Sequence, residues 1–133
     1  MSKDTPPRSR APKRYQGTTQ ADLLPELRRD FPALFVGCLS VCVWPGWIEL
    51  VRDLAAELTR NAPTAKIRQI KSKHGELVVC GTNSQGLIEK FAERSRRTCE
   101  MCGAVEKVCQ VERPDPARRS WIWTICPDCG EKL

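Results

Sequence analysis

Two cysteine pairs of identical spacing, Cys99-x2-Cys102 and Cys126-x2-Cys129, stand near the C-terminal end of the chain with residues 103–125 between them. A CxxC step brings two thiolates within reach of one ion, at about 2.3 Å each, and two such steps complete a tetrahedron. The segment between the pairs must therefore leave the ion and come back to it. Val105–Val111 reads as an outgoing strand and Arg113-Pro114-Asp115-Pro116 as a turn. Ser120–Ile125 reads as a returning strand, with Trp121, Trp123 and Ile125 alternating against Ile122 and Thr124. The expectation is a zinc ribbon over residues 98–133, with one Zn2+ held by Cys99, Cys102, Cys126 and Cys129. Glycine follows each pair, at Gly103 and Gly130. Lacking a Cβ, each is expected to turn its backbone N–H toward sulfur, with Pro127 stiffening the second knuckle. Four thiolates leave no open coordination position, so the ion is structural and its binding energy is folding energy for this end of the chain.

Eight cysteines in 133 residues is a high count, and a secreted disulfide scaffold is the competing explanation. The N-terminal MSKDTPPRSRAPKR is charged and Pro-rich, without the apolar segment of a signal peptide. A reducing, cytoplasmic setting is therefore expected, where paired cysteines favour metal. Thiol oxidoreductases also use CxxC, but within a thioredoxin-like βαβ unit that the sequence pattern does not show. Cys109 lies within the expected outgoing strand as an extra thiol. Cys38, Cys42 and Cys80 sit among valines and leucines, where cysteine acts as a small hydrophobe. A second metal site from these three and His74 would need all four to converge, and only the Cys38-x3-Cys42 spacing favours it.

The net charge of +6 is unevenly spread. Residues 1–17 hold five Lys/Arg and one acid, for +4, which leaves +2 for the remainder. With Pro6, Pro7 and Pro12 and no apolar periodicity, this stretch reads as a flexible basic tail. Residues 31–48 carry no charge, a length at the lower limit for a membrane span. Pro32, Pro45 and Gly46 interrupt its ends, so it reads as buried core and no membrane partner is expected. Gly46–Asn61 shows helical periodicity through Trp47, Ile48, Val51, Leu54, Ala55 and Leu58. Its acids Glu49 and Asp53 come early and Arg60 late, as the helix dipole favours. Ala65–Lys71 and Glu76–Cys80 read as a hairpin joined by Ser72-Lys73-His74-Gly75. Ser84–Arg97 reads as a second helix with Leu87, Ile88, Phe91, Ala92 and Ser95 on one face, capped by Asn83 or Ser84. The fold class is α+β: a helix–β-hairpin–helix body over residues 18–97 and the C-terminal zinc ribbon.

No catalytic constellation emerges. His74 is the only histidine and sits in a turn. There is no Walker loop and no GxGxxG, and the acids fall at solvent-type positions, without paired carboxylates in an apolar setting. Basic residues cluster at Lys66, Arg68, Lys71 and Lys73, at Arg94, Arg96 and Arg97, and at Arg113, Arg118 and Arg119 beside Trp121 and Trp123. Phosphate contact with aromatic stacking is one use of such a surface, and ordinary solvated faces are the other.

Four motifs carry a resemblance. They are Gly46-Trp47 opening a helix, Lys71-Ser72-Lys73-His74-Gly75-Glu76-Leu77 at the hairpin, Cys99-Glu100-Met101-Cys102-Gly103-Ala104, and Trp121-Ile122-Trp123-Thr124-Ile125-Cys126. From Gly46 onward the chain resembles a group of small phage, prophage and bacterial proteins, mostly uncharacterised, that share this order. Their hairpin tends to carry an aromatic residue and two glycines where this chain has His74-Gly75-Glu76, and many have histidine where it has Cys129. The resemblance implies a mobile-element setting and brings no activity with it. The expected function is a non-enzymatic, zinc-stabilised interaction protein that binds a host protein or ribonucleoprotein complex, for example to inhibit a CRISPR effector. Its contacts would come from Arg8, Arg10, Lys13 and Arg14 of the tail and Arg113, Arg118, Arg119 and Trp121 of the ribbon tip. The alternative is a regulator that binds nucleic acid directly.

Overall fold

Among the described residues, four strands form one mixed sheet in which each lies beside the next in chain order, and two further strands form a separate ribbon. The structure is a computed structural model. It describes residues 21–115 and 118–132, without the side chains of Ala21, Asp115, Arg118 and Arg119. The expected tail over residues 1–17 lies outside the described residues.

The chain enters through β1 (Ala21–Asp22) and two short helices, α1 (Leu24–Asp30) and α2 (Pro32–Phe35). It continues through β2 (Ser40–Val43), a 3-10 turn at Pro45–Trp47 and α3 (Ile48–Asn61). The hairpin of β3 (Gln69–Lys73) and β4 (Glu76–Cys80) follows, then α4 (Gln85–Ser95). β2 and β3 pair in parallel, with α3 as the crossover. The ribbon consists of β5 (Cys109–Asp115) and β6 (Arg118–Ile125), followed by the single-turn α5 (Pro127–Gly130). Mixed helix and strand is the α+β class that the sequence pattern indicates, but the body holds more than a helix–hairpin–helix. β1, β2 and the two short N-terminal helices are additional.

The uncharged run over residues 31–48 explains the difference. A short apolar run cannot be assigned to helix or strand by periodicity. Here it supplies α2, the inner strand β2 and the 3-10 turn. Leu34, Phe35, Val41, Val43 and Trp47 are buried, while Val36 and Leu39 are 63% and 74% exposed, against the expectation of a continuous buried stretch. α3 buries Leu50 as well as Val51, Leu54, Ala55 and Leu58, and packs against α4. Asp53 and Glu57 of α3 pair with Arg94 and Lys90 of α4 at 2.9 and 3.1 Å. α4 buries Phe91, Ala92 and Ser95, and Ser84 stands at its N-cap position without a side-chain cap bond.

The β3–β4 turn is tighter than expected. Ser72 and Lys73 pair with Leu77 and Glu76, so only His74 and Gly75 turn the chain. Both have positive φ, 56° and 76°, as the twist-compatible two-residue hairpin turn requires. The first strand accordingly runs from Gln69 rather than Ala65. The ribbon is also shifted outward: β5 begins at Cys109 rather than Val105, and Arg113, Pro114 and Asp115 belong to the strand, not to a turn. Cys109 is opposite Ile125, the last residue of β6. Anything before Cys109 would need a partner where the returning chain has already turned into the second knuckle. Val105 is instead 69% exposed and Lys107 takes φ 59°.

Candidate metal centre

The two knuckles meet at the base of the ribbon. The Sγ atoms of Cys99, Cys102, Cys126 and Cys129 lie within 4.8 Å of one another. Cys102 Sγ and Cys126 Sγ are 3.7 Å apart. A disulfide needs about 2.05 Å. A tetrahedron with arms of about 2.3 Å has edges near 3.8 Å, so the observed separation fits thiolates sharing one ion. Cys99, Cys102 and Cys126 are buried and Cys129 is half-buried. Around them pack Trp44, Met101 and Ile125, with Ala104, Val108, Val111 and Trp123 at the margin. The indoles of Trp44 and Trp123 are 4.9 Å apart at a tilt of 52°.

Burial pushes the Cys102 thiol up to about 11, and burial with its thiol neighbours also raises Cys129 above the ordinary thiol value. Such thiols stay protonated without a cation, and a bound metal reverses that preference. The backbone supplies polarity toward sulfur, though not through the glycines. The N–H of Ala104 faces the Cys102 thiol and that of Cys129 faces the Cys126 thiol. Gly103 N–H donates instead to the Cys99 carbonyl and Gly130 N–H to the Cys126 carbonyl, both at 2.9 Å. Gly103 still needs its missing Cβ, with φ 84°, whereas a Cβ at Gly130 would make ordinary contact with Ile125 at 3.7 Å.

The residue that sequence reasoning missed is Glu100, inside the first knuckle. It is 0% exposed, contrary to the expectation that the acids are solvated. Its carboxylate accepts the Ser72 hydroxyl at 2.8 Å and the Thr124 N–H at 2.9 Å. Burial raises its pKa to about 7 despite those bonds. Its carbonyl accepts the Gly46 N–H at 2.6 Å, and Trp47 Nε1 donates to the Thr98 carbonyl at 2.8 Å. A Cβ on Gly46 would collide with the Cys99 carbonyl oxygen. Gly75 O accepts the Thr124 hydroxyl, and Gln110 Nε2 donates to that same hydroxyl at 2.9 Å. Gly46-Trp47, Ser72 and Gly75 therefore all converge on the first knuckle and on β6. The signal available in the sequence was the co-occurrence of those motifs, and it carried no distance information.

Among the described residues, no other group of three or more His, Cys, Asp or Glu side chains is placed to hold a metal. Cys38 is buried with its thiol toward the Ser40 carbonyl, Cys42 and Cys80 are half-buried, and Cys109 is exposed, so the conceivable second site with His74 does not form. The body does contain a β–α–β unit (β2–α3–β3), but neither CxxC pair lies in it. Of the expected partner-binding residues, Arg8, Arg10, Lys13 and Arg14 lie outside the described residues. Arg118 and Arg119 have a described backbone only. Arg113 is exposed and sits opposite Trp121, whose ring meets Trp123 edge-on at 6.3 Å. The Arg94, Arg96 and Arg97 cluster is neutralised by Asp53, Glu76 and Glu93. No helix among the described residues is long and apolar enough to cross a membrane.

Comparison with protein-family models, curated proteins and solved structures finds no match.

Proposed function

We propose that this chain is a non-enzymatic, zinc-stabilised interaction protein of a phage or other mobile element. It binds a host protein or ribonucleoprotein and so inhibits a defence complex such as a CRISPR effector. Zinc is the choice for four clustered sulfur ligands, and a site with no open position serves to hold structure rather than to react. The mobile-element setting rests on the resemblance of the four motifs.

The observation that carries the interaction reading is the turn between α2 and β2. Val36 and Leu39 are exposed there, and the side chains of Arg28 and Lys66 bond to carbonyls of the segment that carries them. Arg28 donates to the Phe35 and Cys38 carbonyls at 3.3 and 2.8 Å, and Lys66 donates to the Ala33 carbonyl at 3.1 Å. The Arg68 carbonyl accepts the Leu39 N–H at 2.7 Å. Among the described residues, no carboxylate pairs with Arg28, Lys66 or Arg68. An apolar tip with the cations Arg28 and Lys66 bonded to its flanking backbone complements an apolar pocket with an acidic rim. This adds a contact surface to the tail and ribbon tip. Purified tagged protein is expected to contain about one zinc per chain by elemental analysis. It is also expected to retain a discrete host complex that the Val36→Asp/Leu39→Asp double variant loses. Capture unaffected by the double variant, or nothing above background, counts against the reading.

The second reading, direct nucleic-acid binding, is favoured by Arg113 standing opposite Trp121 in the register of the ribbon, an exposed cation and an indole on neighbouring strands. Its signature is a gel shift that weakens steeply between low and high salt. Absence of any shift removes it.

A further inference from the structure

Glu100 joins two parts of the molecule that the ribbon pattern treats as separate. It lies between two of the cysteine ligands, and its two carboxylate oxygens serve different elements. One accepts from Ser72 of β3, the other from the Thr124 N–H of β6. The Glu100 N–H donates to the Thr124 carbonyl at 2.9 Å, so this side of the residue completes the ribbon's base. On the other side the bonds run into the body. Ser72 is paired with Leu77 across the hairpin, the Leu77 N–H donates to Ser95 Oγ at 3.0 Å, and Ser95 Oγ donates to the Ala92 carbonyl of α4 at 2.6 Å.

A carboxylate buried this way is tolerable only while its donors are in place. Ser72 is fixed by the sheet. Glu100 and Thr124 are fixed by the knuckle and the strand that leads to Cys126. With the four sulfurs gathered on one ion, the first knuckle presents Glu100 to Ser72. With the knuckle open, Glu100 regains water and the Ser72 bond has nothing to hold it. We infer that Glu100 transmits metal loading of the ribbon to the β3–β4 hairpin, so that a filled site further protects that hairpin and an intact Ser72–Glu100 seam tightens the metal. Both directions follow from one coupling free energy, which must be reciprocal. The inference rests on the reading that the four cysteines hold a metal.

The test uses the full chain, zinc as the probe, and a competing chromophoric chelator to measure affinity, with hydrogen exchange as the second readout. In the wild type, loading is expected to slow exchange over residues 69–80 as well as over 98–132. Ser72→Ala leaves all four ligands untouched, yet is expected to weaken zinc binding about tenfold and to reduce the protection gained at 69–80 by a similar factor. Glu100→Gln keeps the side-chain volume and turns an amide N–H₂ toward a donor, and is expected to act in the same direction. Leu27→Ala, a destabilising change on the α1 side of the core, is expected to leave zinc affinity at the wild-type value. Wild-type affinity in both seam variants, or exchange at 69–80 indifferent to zinc, overturns the coupling while leaving the metal site standing. A wild-type chain that binds no zinc overturns both. Equal weakening in Leu27→Ala and Ser72→Ala assigns the effect to general instability and overturns the role of the seam.

Discussion

The two apolar clusters of this molecule are built from different materials. The body gathers eighteen buried side chains, mostly Leu, Val, Ile and aromatic, from helices and sheet together. The base of the ribbon gathers six, of which three are cysteines. Fully burying a Leu- or Val-sized group contributes roughly 1.5–3 kcal/mol, so the first cluster is of a size that can sustain a fold by packing alone. The second is not, and an isolated two-stranded hairpin is marginal in water. What the second cluster has instead is sulfur at metal-binding separations. The lesson is that the same chain orders one region by excluding water from many side chains, while the other gathers four sulfurs at separations compatible with one metal ion. The two responses to perturbation should differ accordingly.

The largest expected effect separates them directly. Chelation, or Cys126→Ser, is expected to abolish ordered structure over residues 98–132, with a loss on the order of 10 kcal/mol of metal-binding free energy. Loss of amide protection there, with α3 still protected, is the expected pattern. Retention of ribbon protection in excess chelator would break the comparison. Trp47→Ala comes next, because Trp47 belongs to the body's cluster while its Nε1 bonds to Thr98. It is expected to cost about 3–5 kcal/mol by chemical denaturation. A loss confined to the body's transition would place the two regions further apart than their contacts imply.

Gly75→Ala is a smaller probe of the seam. Gly75 has φ 76°, and a Cβ there would stand 2.8 Å from the Thr124 hydroxyl. The expected cost is about 1–3 kcal/mol, read as a lower melting temperature. The smallest effect is far from the metal. Hydrogen bonds from Arg29 and then Arg52 hold the Asp30 carboxylate down to about 2. Its folded pKa lies below the ordinary value of about 3.9, so its contribution is complete above that value and is lost as pH falls through the folded pKa. Asp30→Asn is therefore expected to lower the melting temperature slightly at pH 6, with a difference from the wild type that shrinks steadily as pH falls from the ordinary value through the folded one.

The cysteine spacing made the candidate site legible residue by residue. The periodicities of α3 and α4 and the Glu76–Cys80 strand were equally readable, because each is a local pattern repeated over several turns or residues. β2 was not, because an uncharged run such as residues 31–48 has no period to read. Cys99, Cys102, Cys126 and Cys129 were determined as a set by the sequence alone, since ligand chemistry and spacing are local. The partners of Glu100 were decided only by the tertiary structure. Ser72 and Thr124 are ordinary polar residues in their own strands, and Gly46 an ordinary glycine before a helix. They acquire a shared purpose only when the hairpin and the 3-10 turn close over the first knuckle, and a buried carboxylate must find its donors wherever the fold has placed them.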